Sequence, residues 1–260
     1  MRRLYSAAIL MTVVICSTGF AATDREAFAA DPVNHPPLPA HDAVYEVLRR
    51  GSKIGEVHVS LKVVDGDIWR YQTETVATST LARLLRVSAE ESAQFVWRDA
   101  HALPLTYRQV ARAPTRTRYW QHEIDWQAGL TRSQTHEGDL EIALEKNLLD
   151  PLTLRLQVAL ALQNPDNRGQ DLEFRVLERD EIETQFFFYL DRQSITLPAG
   201  CFDAIQMQRF RREGSSRNYE SWHSERFHWL PLRILQIKDG KPEIDIRLLT
   251  TSIDLGPDDC

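Results

Sequence analysis

Two short runs carry the residue types that chemistry needs. The first is His223-Ser-Glu225-Arg-Phe-His228, which places two imidazoles and a carboxylate close together. Zinc takes at least three such ligands, and they must converge. On an extended strand residues 223 and 225 project to one side and 228 to the other unless a bulge intervenes. The spacing matches no recurrent ligand pattern, so the run reads as a polar, solvated strand face and no metal is assigned. The second run is His122, Glu123 and Asp125, groups of the kind that exchange protons in hydrolysis. They read as the outward side of a strand whose inward residues are Ile124 and Trp126. The sequence has no Gly-x-Ser-x-Gly elbow, no glycine-rich phosphate loop and no cysteine pair at redox spacing. No catalytic residue and no cofactor is therefore assigned.

Arginines cluster twice, at Arg108, Arg112, Arg116 and Arg118 and at Arg209, Arg211, Arg212 and Arg217. Both clusters flank hairpin signals, where side chains are solvated in any case. They read first as surface charge paired with nearby Glu and Asp. The functional alternative is an anion-binding rim for lipid head groups or acidic polysaccharide. Six Trp, seven Tyr and ten Phe supply rigid walls. Most must fill a core, but a curved sheet closing on one helix leaves room for an apolar pocket at one end. The residues expected to line such a pocket are Leu156, Phe186, Phe188, Trp222 and Trp229.

The elements that position these groups are mostly strands. Ile54 to Val64 alternates, with Val57, Val59, Leu61 and Val63 on one side and His58, Ser60 and Lys62 on the other, as a strand with one buried face does. Asp65-Gly66 is a hairpin signal, and Trp69, Tyr71, Thr73 and Thr75 continue at period two. Further strands are read around Phe95, Tyr107, Tyr119 to Trp126, Thr131 to Thr135 and Leu140 to Leu144. After the middle of the chain come Leu172 to Val176, Ile182 to Phe188, Asp203 to Arg211, Tyr219 to Trp222, Trp229 to Ile237 and Ile244 to Leu249. In the strand at 182–188, Ile182, Thr184, Phe186 and Phe188 form one face, and Phe187 and Tyr189 the other. Short turns, Glu213-Gly-Ser-Ser and Asp239-Gly240 among them, require antiparallel neighbours.

One long internal run is helical instead. Asp150 is suited to cap it, Pro151 to its first position, and the segment to Gln163 holds five leucines. At ~1.5–3 kcal/mol per buried Leu, so much apolar surface needs cover on most sides. A shorter helix is read near 80–86. The predicted fold is mainly β, with a minor α component: a large curved antiparallel sheet, or partly closed β-barrel, packed around one central apolar helix at about 150–163.

Arg2, Arg3 and the apolar stretch Leu4 to Ile15 form a secretory signal, with cleavage expected after Ala21 and a second possible site after Ala29. Residues 22–41 read as a flexible Pro-rich linker, 42–254 as one β-rich domain, and 255–260 as a mobile tail. Cleavage leaves 29 basic and 37 acidic residues, a formal charge of −8, which argues against a nucleic-acid partner. Ile15 before Cys16 is too large for a lipoprotein signal, and no later segment is apolar enough to span a bilayer. The mature chain is expected to be soluble and exported, periplasmic in a Gram-negative source. Cys201 and Cys260 can pair in such a compartment, but their context leaves the pairing open.

Leu149-Asp-Pro-Leu-Thr, Leu197-Pro-Ala-Gly-Cys-Phe-Asp-Ala-Ile and Trp222-His-Ser-Glu followed by Leu230-Pro-Leu-Arg-Ile recur in order with Tyr45…Gly51…Ile54-Gly-Glu and Leu103-Pro-Leu-Thr-Tyr. Together, over about residues 42–254, they resemble the exported bacterial family called domain of unknown function 3108. The resemblance implies an exported β-rich domain similar to periplasmic carriers, and brings no catalytic residues. The resulting expectation is a non-enzymatic envelope protein that binds an apolar or amphipathic ligand or an envelope partner, whether lipid, glycan or protein. The alternatives are a hydrolase acting on envelope polysaccharide or lipid, and an assembly factor that binds another protein through an exposed apolar patch.

Overall fold

The computed structural model describes residues 35–78, 87–210 and 217–256. Fourteen strands form one antiparallel sheet in the order β8-β7-β6-β5-β4-β3-β2-β1-β14-β13-β12-β11-β10-β9. The first eight are β1 (His41–Arg49), β2 (Ser52–Asp65), β3 (Ile68–Ala77), β4 (Ser88–Arg98), β5 (His101–Ala113), β6 (Arg116–Asp125), β7 (Leu130–Thr135) and β8 (Gly138–Ala143). The helix α1 (Thr153–Gln163) follows, then β9 (Leu172–Glu178), β10 (Glu181–Leu197), β11 (Gly200–Phe210), β12 (Arg217–Ser224), β13 (Leu230–Lys238) and β14 (Lys241–Thr251). Every strand pairs with its sequence neighbour except where α1 separates β8 from β9. The ends of the domain join instead: Tyr45 of β1 faces Leu248 of β14. The sheet therefore has two edges, β8 and β9, and they do not pair with each other.

The sheet is nevertheless strongly rolled. At about 4.8 Å per strand, the ten steps from β6 to β10 would span about 50 Å in a flat sheet. Yet the guanidinium of Arg179, in the β9–β10 turn, lies 5.2 Å from the Trp120 ring centre on β6. Long sheets curl in this way to bury their apolar face. Residues from β1–β5, β9–β14 and α1 meet in one hydrophobic cluster.

Local chemistry explains much of the pattern. Asp65-Gly66 and Asp239-Gly240 sit at the expected hairpins. Pro198 and Ala199 turn β10 into β11, and Gly200 takes φ +138, which its missing side chain permits. Gly55 is needed for a different reason: a Cβ there would lie 2.6 Å from the Val76 carbonyl oxygen. Pro231 falls at the start of β13, where a missing N–H does least harm.

Several expectations need correction. The Pro-rich segment is not an exposed linker to its end, because Pro36, Pro37 and Leu38 are buried and Leu38 belongs to the core. Val63 does not share the buried face of β2. It is exposed at the hairpin end, beside a register shift. In β10, where the sequence leaves the inward face open, Gln185 and Phe187 are buried and Phe186, expected to line a pocket, is exposed. Leu255 packs against the core rather than hanging free. Cys201 is disulfide-bonded. The signal segment, the helix near 80–86, the turn at 213–216, Arg211, Arg212, Cys16 and Cys260 lie outside the described residues.

Candidate functional site

The segment before α1 fixes the helix in place. Leu149 bonds along the free edge of β9 on either side of Val176, its N–H to the Arg175 carbonyl (3.0 Å) and its C=O to the Leu177 N–H (2.8 Å). Asp150 then caps the helix. Its Oδ1 accepts the N–H groups of Leu152 (2.7 Å) and Thr153 (3.0 Å), and its own N–H donates to the Thr153 hydroxyl (2.9 Å). This reciprocal box satisfies amides that the first helical turn leaves unpaired. It begins one turn ahead of the regular helix, and Asp150 is buried with its Oδ2 lacking a partner. Burial raises its pKa to about 6, opposed by the bonds from Thr153 and Leu152.

With the helix anchored, Leu152, Leu154, Leu156, Val158, Ala159 and Leu162 are all buried. Arg155 is the one charged side chain on α1. About a third of its side-chain surface (32%) meets open space. That space is a cavity of about 340 Å³, at the lower end of the ~300–1,000 Å³ range of small-molecule sites. Leu154, Val158, Phe187, Ile234 and Ile246 supply its apolar wall, and Arg155, Arg179, Arg209, Glu91 and Glu178 its charged one. A second space of about 170 Å³ shares Arg155, Glu91, Ile234 and Ile246 and reaches Tyr45 and Tyr71.

A chain of buried polar groups leads away from Arg155. Its Nη2 lies 3.8 Å from Glu91 Oε2, and its guanidinium carbon 5.9 Å from the Tyr71 ring centre. The Tyr107 hydroxyl donates to the other Glu91 oxygen, and burial pushes the Tyr107 pKa well up. Tyr107 stacks on His122 at 5.8 Å, and His122 Nδ1 lies 2.7 Å from Ser133 Oγ. Burial lowers the His122 pKa to about 4. The His122–Ser133 pair has the spacing of a base and nucleophile, but both residues are buried and Ser133 borders neither cavity beside the helix.

The groups singled out in the sequence are dispersed. His122 is inward, not outward: it shares parity with Trp120 and is 0% exposed. Glu123 is exposed, and Asp125 accepts the Ala128 N–H in the next turn (2.8 Å). His223 is not solvated either. Its Nδ1 donates to the Trp229 carbonyl (3.0 Å), so Nε2 accepts from the Ser221 hydroxyl (2.9 Å). Burial holds its pKa near 4. Glu225 pairs with Arg168 at 2.8 Å, and His228 sits in a left-handed turn after a short 3-10 helix. Among the described residues no three potential ligands gather around a metal-sized space.

The five pocket candidates do not border the cavity. Leu156 is sealed in the core. Phe186 is 37% exposed, and Phe188 packs edge-on against Phe210 at 5.3 Å. Trp222 lies under the Arg233 guanidinium (4.7 Å) and Trp229 under that of Arg168 (5.1 Å). Of the arginine clusters, Arg108 and Arg112 pair with Glu90 as surface charges do. Arg209 instead turns inward, its guanidinium 4.2 Å from the Tyr219 ring centre. The missed residue with a legible signal is Arg155: a lone charge on a helix that needs cover on most sides must face a partner or a cavity.

No protein-family model matches the chain, and neither does any curated protein. Solved structures align with it at low identity. A β-barrel-like protein of domain of unknown function 1849 from Brucella abortus aligns with TM-score 0.50 at 9% identity, covering 84% of this chain and 99% of that one. A protein from Bacteroides fragilis described as exported, with a YmcC-like fold, aligns at 0.40 and 9%, covering 84% and 97%. A Parabacteroides distasonis structure described as a lipoprotein aligns at 0.34 and 9%, also covering 84% and 97%. None of these descriptions names an activity. No helix among the described residues is long and apolar enough to cross a membrane.

Proposed function

We propose that this chain is an exported, non-enzymatic binding protein of the bacterial envelope that carries one apolar or amphipathic small molecule between α1 and the sheet. In this reading the sheet is a partly closed barrel, and α1 is both its internal support and one wall of the site. The observation that carries it is the cavity itself: Leu154, Val158, Phe187, Ile234 and Ile246 line a partly open cleft of about 340 Å³ instead of packing only on one another. Apolar side chains left facing water along such a cleft are stabilised when a ligand covers them. The leader-like N-terminus and the resemblance to domain of unknown function 3108 support export.

Filling the space tests the proposal. Ile234 lies on the inner face of β13 and is only half-buried, because it borders both spaces. Ile234→Trp should keep the fold and weaken binding of the neutral dye N-phenylnaphthylamine at least about tenfold, or ~1.4 kcal/mol. Equal saturable binding to both forms would place the dye elsewhere. Binding by neither would remove the carrier reading.

A further inference from the structure

The two spaces beside α1 are parts of one cleft. Both are bordered by Arg155 from the helix, Glu91 and Gln109 from β4 and β5, and Pro231, Ile234 and Ile246 from β13 and β14. From this shared stretch the smaller space runs under β1, β2 and β3, and the larger one under β10, β11 and β12. Four strand steps separate β12 from β2, about 19 Å along the sheet, so the cleft is elongated. Its two ends differ in chemistry. At the β1–β3 end Tyr45, Val57, Val59 and Tyr71 present apolar surface, and the Tyr45 hydroxyl already donates to the Pro231 carbonyl (2.9 Å). Thr73, Thr75 and Glu90 are the polar residues there, and Glu90 is paired with Arg108 and Arg112. At the other end Tyr219, Ser221 and His223, alternate residues of β12, border the cleft. Ser221 donates to His223 Nε2 (2.9 Å), and a hydroxyl that donates can still accept.

Accepting the carrier reading above, on which this step rests, we infer that the ligand is an elongated amphiphile, with one aliphatic chain and a hydroxyl-bearing head, that spans both spaces. The head lies beside Ser221, to whose oxygen its hydroxyl donates. The chain passes between Arg155 and Ile234 and ends among Val57, Val59 and Tyr71. Arg155 keeps its charge where it is: the aliphatic stem flanks the chain, while the guanidinium stays 5.9 Å from the Tyr71 ring centre and 3.8 Å from Glu91. Each carbon added at the tip of the chain covers more of the apolar end, so affinity follows chain length until the smaller space is filled.

Octanol, decanol and dodecanol, competing with N-phenylnaphthylamine on the full mature chain, test this. In the wild type, affinity should rise about fourfold for each CH₂ buried (~0.8 kcal/mol) as far as dodecanol. Thr75 is half-buried at the apolar end and borders the smaller space but not the larger. Thr75→Trp fills that end, so octanol should stay within about twofold of its wild-type affinity while dodecanol loses at least about tenfold. Val57 pairs with Thr75 across β2 and β3, and Val57→Trp should give the same pattern. Ser221→Ala should weaken all three alcohols by one factor, about fivefold, and leave the length dependence intact. No gain beyond octanol in the wild type, a readout that needs no variant, confines the ligand to the larger space and overturns the inference. Unchanged dodecanol affinity in both filled variants does the same. Equal loss of octanol and dodecanol in Thr75→Trp, or unchanged affinity in Ser221→Ala, overturns the placement of the head. Failure of the dye itself to bind the wild type overturns the carrier reading instead.

Discussion

Phe187→Ala should unfold at a much lower denaturant concentration than Phe186→Ala, although the two residues are neighbours of the same type. Phe187 is buried, packs edge-on against Phe174 at 5.7 Å, and belongs to the central cluster. Removing such a ring costs about 3–5 kcal/mol, from lost transfer energy and the void left behind. Phe186 points outward and is 37% exposed, so its loss should stay within about 1 kcal/mol. Urea unfolding of the mature chain, with unchanged slope for both variants, is the measurement. Equal midpoints for the two variants would show that β10 is not oriented as described.

The second large effect is a dependence on pH. In the folded chain Asp150 has a pKa of about 6, raised from 3.8 by burial. Between those values the folded state holds a proton that the unfolded state has lost. The contribution to stability is therefore complete below about pH 3.8 and lost as the pH rises through about 6. The whole difference between the two states is worth roughly 3 kcal/mol. Asp150→Asn keeps an oxygen to cap Leu152 and Thr153 but has no charge to titrate. Any fixed cost of the amide is the same at every pH. The stability of Asp150→Asn relative to the parent should therefore rise by roughly 2 kcal/mol between about pH 4.5 and pH 8. Parallel pH profiles for the two proteins would contradict this. Asp150→Ala also strands two buried N–H groups and should be less stable than Asp150→Asn throughout.

The contrast between these residues shows what the sequence makes legible. The cap at Asp150 rests on local chemistry, and the structure has it where the sequence implies. The same holds for the hairpins at Asp65-Gly66 and Asp239-Gly240 and for the alternation in β3. Phe186-Phe187-Phe188-Tyr189 carries no alternation at all, so local pattern cannot say which pair points inward. A register shift between Tyr189 and Asp191 disturbs it further. His122 shares the parity of Ile124, and only the rule that polar residues face water sets it outward. Its burial depends on Tyr107 and Ser133, which other strands supply. The pairing of β1 with β14 joins segments some two hundred residues apart, and no short-range signal encodes it. The charged wall of the cavity is of the same kind: Arg155, Arg179 and Arg209 come from a helix, a turn and a strand, and only the rolled sheet brings them together.

Whether that wall holds a ligand can be read from the protein as cells produce it. The chain should be expressed with residues 1–21 in place, purified without detergent and weighed intact by native mass spectrometry. The expected spectrum shows the mature chain with one small molecule bound, which is shed on mild activation. Repeated preparations at the bare chain mass, from protein that also fails to bind N-phenylnaphthylamine, would contradict a binding site beside α1.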